Sequence, residues 1–237
     1  MTRLFIVFRL SLALAISGSA ASARADSAGG DARRTIVFFG DSLTAGYGLE
    51  NHVTDAFPGV LQGKIDREGL AYHVVNAGLS GDTTAGGLRR IGWILRQPVD
   101  IFVLELGGND GLRGLPVETA RANLQAIMDR VRAANPQVRI VLAGMQMPTS
   151  MGPYADAFAQ LFPELAAANG TSLIPFLLEG VGGVPELNLP DGIHPTVEGH
   201  RRIAETVWPY LRPLLVTRTA AKSPQLHPGS RAESVRP

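Results

Sequence analysis

Apolar runs of five to seven residues recur five times in the chain, and an amphipathic segment of helical periodicity separates each run from the next. This alternation predicts strands joined by helices, and therefore a mainly parallel sheet. The runs are apolar almost throughout instead of alternating with polar residues, which is typical of strands covered on both faces. The predicted strands are Thr35–Phe39, Tyr72–Asn76, Asp100–Leu106, Arg139–Gly144 and Ser172–Phe176.

The intervening segments carry the helical signal. The clearest has a proline at its start and apolar residues at three-to-four spacing along its length. A five-stranded, mainly parallel sheet with helices on both faces makes a three-layer α/β domain, which we assign to residues 34–212. The predicted helices are Asp55–Glu68, Thr84–Arg96, Pro116–Ala134, Tyr154–Ala168 and Thr196–Leu211.

The first 25 residues have the pattern of a secretory signal. Arg3 and Arg9 flank an apolar segment, and the stretch "ARA" that ends at Ala25 matches an A-x-A cleavage site. The alternative is a membrane anchor, but Arg9 divides the run into halves well short of the roughly 20 apolar residues that span a bilayer. The sequence therefore predicts a periplasmic or secreted protein, cleaved near Ala25 and without a stable membrane anchor. It also predicts a polar lead-in over residues 26–33 and a disordered tail over 213–237.

Composition excludes several classes of function. The 22 basic and 21 acidic residues nearly balance, and the predicted signal and tail hold the excess of basic ones. The domain between them is therefore acidic and has no basic patch, which argues against nucleic acid as a partner. The chain has no cysteine, so disulfides, thiolate metal sites and a cysteine nucleophile are excluded.

Glycines, small hydroxyls and charged residues concentrate in the segments that follow the predicted strands. In parallel α/β sheets the ligand lies beyond the carboxyl ends of the strands, where the strand order reverses. The segments after strands one, two, three and five are therefore the candidate site, and they read "GDSLTAGYG", "NAGLSGDTTAGG", "GGNDGLRG" and "LNLPDGIHPT".

Ser42 lies at the end of the first predicted strand, in "RTIVFFGDSL". A serine at this position is more often a helix N-cap than a nucleophile. Gly40 changes that balance because a glycine permits a tight turn or a close approach of another group. A serine hydroxyl is a weak nucleophile at neutral pH and needs a base within hydrogen-bond reach.

The chain has five histidines that could supply this base, one of them in the predicted tail. His73 lies within a predicted strand, which indicates a structural role. His200 lies inside the last predicted helix, where a packed or surface histidine is the ordinary interpretation. His52 follows Ser42 in the first loop and stays open as a candidate. His194 is favoured because it lies on a loop at the carboxyl edge of the sheet.

Asp191 precedes His194 by three residues, so one turn can bring its carboxylate to the imidazole. A carboxylate there can hold the ring N–H, fix the tautomer and stabilise the imidazolium that forms when the other nitrogen takes a proton. The alternative is an Asp-Gly turn with an incidental histidine. A metal site would need more ligands than this pair supplies.

Acyl transfer to a serine also requires donors for the developing oxyanion. The backbone N–H of Gly81 in "LSGD" and the carboxamide of Asn109 in "GGND" are the candidates. Turn formation is the ordinary role of an asparagine in such a loop, but the two preceding glycines favour a crowded site. Asp41 is assigned a structural role that holds the first loop, because Asp191 is better placed to orient His194.

Taken together, the four segments resemble the SGNH (GDSL-type) hydrolases over roughly residues 34–212. "GDSLTAGYG", "NAGLSGD", "GGNDGLRG" and "DGIHPTVEGH" resemble the conserved blocks of that family, in order. The resemblance implies a nucleophilic Ser42, a base formed by His194 with Asp191, and an oxyanion hole from the Ser42 amide, Gly81 and Asn109. "ELGGNDGLRG" and "DGIHP" are most similar to bacterial periplasmic arylesterases and multifunctional thioesterase/lysophospholipases.

The resemblance further implies a flavodoxin-like sheet and ester hydrolysis without a metal or another cofactor. It implies that the segment Gly111–Pro116, including Leu112 and Arg113, borders the acyl pocket. Met147 and Pro148 follow the fourth predicted strand. Flexible methionines there are typical of an adaptable apolar wall, and core packing explains them equally well.

The sequence thus predicts a serine esterase that acts on small-molecule acyl or aryl esters through an acyl-enzyme on Ser42, with thioesters and lysophospholipids as further candidate substrates. One alternative is a carbohydrate O-deacetylase, which would favour an open, aromatic-lined cleft. Trp93 and Trp208 are the only tryptophans, and both are interpreted as core residues. The other alternative is a non-catalytic lipid- or glycan-binding protein, against which the complete set of four motifs argues.

Overall fold

The computed structural model of the chain describes residues 33–215. A single sheet forms its centre, with the strand order β2-β1-β3-β4-β5, and every neighbouring pair is parallel. The predicted signal and residues 26–32 of the predicted lead-in lie outside the described residues, as do residues 216–237. The predicted start of the tail at residue 213 is wrong, because Arg212–Leu214 form a 3₁₀ helix and Leu215 is buried in the core. The strands are β1 Arg34–Gly40, β2 Tyr72–Asn76, β3 Ile101–Glu105, β4 Arg139–Ala143 and β5 Ser172–Ile174.

Within the described residues, eight α-helices connect and cover the strands. α3 and α8 pack against each other, whereas α4 packs on α6 and α6 on α7. Right-handed crossovers between parallel strands place these two groups on opposite faces, because the order of strands reverses after β2. The helices are α1 Ser42–Ala45, α2 His52–Asp55, α3 Phe57–Arg67, α4 Thr84–Ile94, α5 Gly108–Leu112, α6 Val117–Ala134, α7 Pro153–Asn169 and α8 Val197–Leu211.

The predicted three-layer α/β fold is confirmed. Some element boundaries differ from the predicted ones, and a proline explains two of these differences. β5 ends at Ile174, two residues before the predicted end, because Pro175 has no N–H to continue the ladder. The first predicted helix is divided at Ala56, whose backbone is extended with ψ 148°, and Pro58 lies in the first turn of α3 after it. No helix of the described part is long and apolar enough to cross a bilayer.

The interpretation of Trp93 as a core residue is wrong. Its side chain is 71% exposed, whereas Ile91 on the same helix is fully buried. Two residues correspond to about 200° around an α-helix, so the two side chains lie on opposite faces of α4. Trp208 is half-buried and packs against the core, with the Lys64 ammonium 5.3 Å from the centre of its ring.

His200 is a structural residue of the interface between α3 and α8. Its side chain is fully buried, and its Nδ1 accepts a hydrogen bond from the backbone N–H of Phe57 at 3.2 Å. Phe57 is the first residue of α3, where backbone N–H groups lack a partner within the helix. Burial lowers the pKa of His200 from 6.5 to about 4, so the ring stays neutral in the fold at physiological pH.

Replacing His200 by alanine should cost about 1–3 kcal/mol of the free energy of unfolding at pH 7.5, because the Phe57 N–H is left buried without an acceptor. Below pH 6.5 the unfolded chain binds a proton at His200 that the fold excludes until about pH 4. The wild type should therefore lose this advantage over the variant as pH falls from 6.5 toward 4. Urea unfolding of both proteins at pH 7.5 and 5 measures how the difference in their free energies of unfolding changes with pH. The other titratable groups are the same in both proteins, so their contributions cancel in that difference.

His200→Asn is the matched control, since its carboxamide oxygen can occupy the position of Nδ1. It should recover part of the lost stability at pH 7.5. All three proteins should hydrolyse esters at similar rates where they are folded. A loss of turnover in folded His200→Ala as large as that in His194→Ala would contradict the structural role.

Candidate active site

Ser42 is the first residue of α1, directly beyond the end of β1. Gly40 is required by the close approach of neighbouring side chains, because an added Cβ would lie 2.1 Å from Thr44 Oγ1 and 2.3 Å from Glu105 Oε2. Asp41 caps α1 by accepting a hydrogen bond from the backbone N–H of Leu43 at 3.0 Å. The strand thus delivers the serine to the carboxyl edge of the sheet, where its side chain is largely buried.

His194 lies on the long loop between β5 and α8, and its Nε2 is 3.0 Å from Ser42 Oγ. Its Nδ1 is 2.7 Å from Asp191 Oδ2. Asp191 Oδ1 accepts the backbone N–H groups of Ile193 and His194 at 2.9 and 3.0 Å, so the predicted turn also forms. These hydrogen bonds lower the pKa of Asp191 to about 2, the backbone bond from His194 contributing most. Asp191 is therefore ionised throughout the neutral range and faces the ring N–H.

Two backbone interactions within this loop fix its own shape around His194. The backbone N–H of Leu189 donates to the carbonyl of His194 at 2.7 Å, and Asn188 forms an antiparallel bridge with Pro195. The ring of Tyr47 packs on the imidazole of His194 with 4.4 Å between the ring centres. Tyr47 is not distinguishable as a site residue in the sequence, because an aromatic residue in a glycine-rich loop carries no signal of what it will contact.

Asn109 lies in the first turn of α5, and its Nδ2 donates to Asp41 Oδ2 at 3.1 Å. The positive φ of Gly107, 123°, turns the chain from β3 into this helix. The assignment of Asp41 as a loop-holding residue is therefore incomplete, because the same carboxylate also fixes the orientation of the Asn109 carboxamide. Burial raises the pKa of Asp41 to about 6, against the lowering effect of the hydrogen bonds from Leu43 and Asn109.

Glu105 lies beneath this pair at the end of β3 and is fully buried. Its Oε2 accepts the backbone N–H of Asp41 at 3.1 Å and the hydroxyl of Thr44 at 2.7 Å. Burial and the neighbouring Asp41 carboxylate raise its pKa well above the ordinary value. Glu105 therefore ties β3 to the segment on both sides of Ser42. Glu105 has no distinguishing pattern in the sequence, because it lies within the apolar run that predicts the third strand.

Gly81 lies in the loop after β2, with a φ of +78°. A Cβ there would meet no atom within 4 Å, so backbone conformation explains this glycine and crowding does not. Its carbonyl accepts a hydrogen bond from Arg113 Nη2 at 3.1 Å, which links the loops after β2 and β3.

The residues expected to border an acyl pocket divide into two groups. Leu112 is 53% exposed, and Arg113 and Pro148 also reach the surface. Met147 is buried, and Gly111 packs so closely on it that an added Cβ would lie 2.3 Å from its Sδ. The side chain of Met147 is therefore part of the core.

The other histidines take no part in the contact with Ser42. His200 is buried behind α3, and His52 and His73 have exposed side chains on α2 and β2. Within residues 33–215 no cluster of three or more histidine, aspartate or glutamate side chains could hold a metal ion.

Known proteins are similar to this chain over most of its described residues. The model of the GDSL-like lipase/acylhydrolase family matches residues 38–202. Esterase TesA of Pseudomonas aeruginosa is 42% identical over 186 residues, which cover 78% of this chain and 90% of that protein. Thioesterase 1/protease 1/lysophospholipase L1 of Escherichia coli K12 is 37% identical over 183 residues, covering 76% and 85%.

Two solved structures extend the comparison to the fold. The crystal structure of TesA superposes with a TM-score of 0.73 at 42% identity, over 77% of this chain and all of that one. The psychrotrophic esterase EstA from Pseudoalteromonas sp. gives 0.70 at 31% identity, over 76% and 97%. The resemblance to SGNH hydrolases that the four sequence motifs indicated is thereby confirmed, and this chain belongs to the GDSL-like lipase/acylhydrolase family.

Proposed function

We propose that this protein is a serine esterase that hydrolyses carboxylic esters through an acyl-enzyme on Ser42. The observation that carries the proposal is the hydrogen-bonded series from Asp191 through His194 to Ser42, with contacts of 2.7 and 3.0 Å. A serine hydroxyl paired with an imidazole that a carboxylate orients is the arrangement that nucleophilic acyl transfer requires.

In the first half-reaction Ser42 Oγ attacks the ester carbonyl while His194 Nε2 takes the hydroxyl proton. Asp191 keeps the proton of the neutral ring on Nδ1 and stabilises the imidazolium that forms. His194 then returns the proton to the leaving oxygen, which departs as an alcohol. In the second half-reaction His194 takes a proton from water as the water oxygen attacks the acyl carbon. His194 then returns that proton to Ser42 Oγ as the bond between Oγ and the acyl carbon breaks and the acid leaves.

The oxyanion is assigned to the backbone amides of Ser42 and Gly81 and to the carboxamide of Asn109. An asparagine carboxamide has two N–H groups, and Asp41 accepts one of them. The other has no partner among residues 33–215 and can donate to the oxyanion. The Asp41 carboxylate accepts only from the nitrogen of the Asn109 carboxamide, so it fixes the orientation of that group. Asp41 therefore acts as a positioning residue for Asn109.

Replacing Asn109 by alanine should lower kcat by about 10²–10³ and change KM little, because an oxyanion donor acts mainly in the transition state. Steady-state hydrolysis of 4-nitrophenyl butyrate separates the two constants. Asn135→Ala is the matched control, since Asn135 also donates a side-chain hydrogen bond, to the carbonyl of Val99 at the opposite edge of the sheet. Equal kinetics in the two variants would remove Asn109 from the oxyanion hole.

The substrate range proposed for this chain is acyl and aryl esters, with thioesters and lysophospholipids as further candidates. The names of the relatives, which include an arylesterase of Vibrio mimicus, support that range. The exposed Leu112 offers an apolar surface for the acyl chain beside Asn109. We further propose that the protein acts in the periplasm or outside the cell after cleavage near Ala25.

Neither alternative function gains support. A sugar deacetylase would use aromatic side chains along its cleft, but Trp93 is exposed on α4 and Trp208 of α8 packs against the core and Lys64. A binding protein has no need for the contacts that join Ser42, His194 and Asp191.

Hydrolysis of 4-nitrophenyl esters from acetate to palmitate tests the proposal. Release of 4-nitrophenolate that follows saturation kinetics is expected, and the chain-length profile distinguishes an acetyl-specific enzyme from a broader esterase. Acetylated xylose and glucosamine serve as the comparison. Turnover of the sugar acetates without turnover of any 4-nitrophenyl ester would favour the deacetylase.

A further inference from the structure

Arg90 lies on α4, and its guanidinium joins the chain at the ends of β1 and β2. Its Nη2 donates to the carbonyl of Gly40 and its Nη1 to the carbonyl of Ala77, each at 2.9 Å. Gly40 is the last residue of β1, and Ala77 directly follows β2. The guanidinium carbon lies 3.9 Å from the centre of the buried Phe39 ring, so the group is packed between α4 and the sheet.

A third contact of Arg90 reaches the residue that follows Gly81, the proposed oxyanion donor. Arg90 Nε pairs with Asp82 Oδ2 at 2.6 Å, and the two side chains are 22% and 7% exposed. Gly81 itself is not packed on its side-chain face, because an added Cβ would meet no atom within 4 Å among residues 33–215. Its carbonyl accepts from Arg113, whose side chain is exposed. The direction of the Gly81 N–H therefore depends on how the neighbouring residues are anchored.

Both sides of Gly81 are tied to the segment that carries the nucleophile. On one side, the backbone N–H of Leu79 donates to the Gly40 carbonyl at 3.0 Å. On the other side, the carboxylate that follows Gly81 is bound to Arg90, which donates to the same Gly40 carbonyl. Gly40 is two residues before Ser42, so the two backbone amides assigned to the oxyanion are positioned from one common group.

α4 has a glycine where the carboxylate of this ion pair lies. Gly86 and Arg90 are four residues apart and therefore lie on one face of the helix. An added Cβ at Gly86 would lie 1.8 Å from Asp82 Oδ1, whereas one at Gly92 of the same helix would meet no described atom within 4 Å. A glycine inside a helix is less stable than an alanine. Contact with the carboxylate explains why residue 86 is nevertheless a glycine.

We propose that Arg90 is a positioning residue of the oxyanion hole, which holds the N–H of Gly81 in place relative to that of Ser42. It acts through the Asp82 carboxylate and the Gly40 carbonyl and does not touch the substrate. A guanidinium presents its N–H groups in a rigid planar fork, so one side chain can fix several acceptors relative to each other. This inference rests on the proposed esterase function.

Arg90→Lys tests the proposal, because lysine keeps a charge opposite Asp82 but has no planar fork to bind both carbonyls as well. Its kcat with 4-nitrophenyl butyrate should fall about 10- to 100-fold with KM nearly unchanged, since the oxyanion forms only in the transition state. Arg132→Lys is the matched control. Arg132 donates to the side chain and the carbonyl of Asn169, near the start of β5 at the opposite edge of the sheet, and its replacement should leave kcat within about twofold.

Gly86→Ala tests the same contact without changing Arg90. The added methyl group should push the Asp82 carboxylate off the guanidinium, so kcat should fall about tenfold at similar KM even though alanine favours the helix. Gly92→Ala is the matched control on the same helix and should keep the wild-type kcat. An equal loss of kcat in Gly86→Ala and Gly92→Ala would contradict the proposal.

A transition-state analogue separates positioning of the oxyanion hole from a general loss of structure. Butaneboronic acid forms a tetrahedral adduct with a serine hydroxyl and places an oxygen where the oxyanion develops. Its inhibition constant should rise in Arg90→Lys by the factor lost in kcat/KM, in protein that circular dichroism and thermal unfolding show to be folded. If the folded variant keeps both the wild-type kcat and the wild-type inhibition constant, Arg90 does not position the oxyanion hole and the esterase function stands. If the wild type and both controls hydrolyse no ester, the esterase function is refuted, and this inference with it.

Discussion

Replacing Ser42 by alanine is expected to lower kcat for ester hydrolysis by about 10⁴–10⁶, to near the background rate. The substitution removes the atom that attacks the carbonyl, and no other hydroxyl lies against His194 Nε2 in the described residues. The fold should be preserved, because the Ser42 side chain contributes one hydrogen bond and the turn around it is held by Asp41 and Glu105. Initial rates with 4-nitrophenyl butyrate measure the loss.

Thermal unfolding and circular dichroism of Ser42→Ala should match those of the wild type within a few degrees. Ser172→Ala in β5 is the matched control, a serine to alanine change in a strand away from the carboxyl edge loops, and should retain full activity. A folded Ser42→Ala protein that still turned over esters at a tenth of the wild-type rate would exclude Ser42 as the nucleophile.

Replacing Asp191 by asparagine is expected to lower kcat by up to about 10⁴, with the fold retained. The carboxamide oxygen can still accept the backbone N–H groups of Ile193 and His194, so the turn should survive. The carboxamide N–H₂ would then face His194 Nδ1 and favour the tautomer with its proton on Nε2. That tautomer cannot accept the Ser42 proton, so the base is lost even though the geometry is kept.

The matched control is Asp100→Asn, because Asp100 also accepts a backbone N–H, from Thr35 at 2.8 Å, at the amino-terminal edge of the sheet. It should change activity less than about twofold. Asp191 is ionised well below neutral pH, with a pKa of about 2, so the loss in Asp191→Asn should be similar at every pH from 6 to 8. A loss of less than tenfold would leave Asp191 only its role in the turn.

The two carboxyl groups behind Ser42 explain how the site is held in one arrangement. Glu105 binds the chain on both sides of the serine, and Asp41 binds the Leu43 N–H and the Asn109 carboxamide. The nucleophile and the proposed oxyanion donor are thus fixed to the same strand ends. Ser42 follows β1 and Asn109 follows β3, and these two strands are paired in the sheet. A shift of one strand would therefore move the nucleophile and the proposed oxyanion donor together.

The sequence by itself determined the fold class and the position of the site. Continuous apolar runs such as Thr35–Phe39 specify strands buried on both faces, and the helical periodicity between them specifies parallel connections. Carboxyl ends of parallel strands lie on one edge, so the four motif loops had to converge there. The pairing of Asp191 with His194 was also accessible from the sequence, because three residues of chain are enough to close that contact.

Only the tertiary structure decided which distant residues complete the site. Ser42 and His194 are 152 positions apart, and Asp41 and Asn109 are 68 apart, so their contacts depend on how strands and loops pack. Tyr47 on the His194 ring and Glu105 beneath the turn have no local pattern that distinguishes them from an ordinary loop or strand residue. Trp93 faces solvent instead of the core because the rotation of α4 is set by its neighbours. The sequence encodes local periodicity directly, whereas contacts between separate elements exist only after the sheet has brought them together.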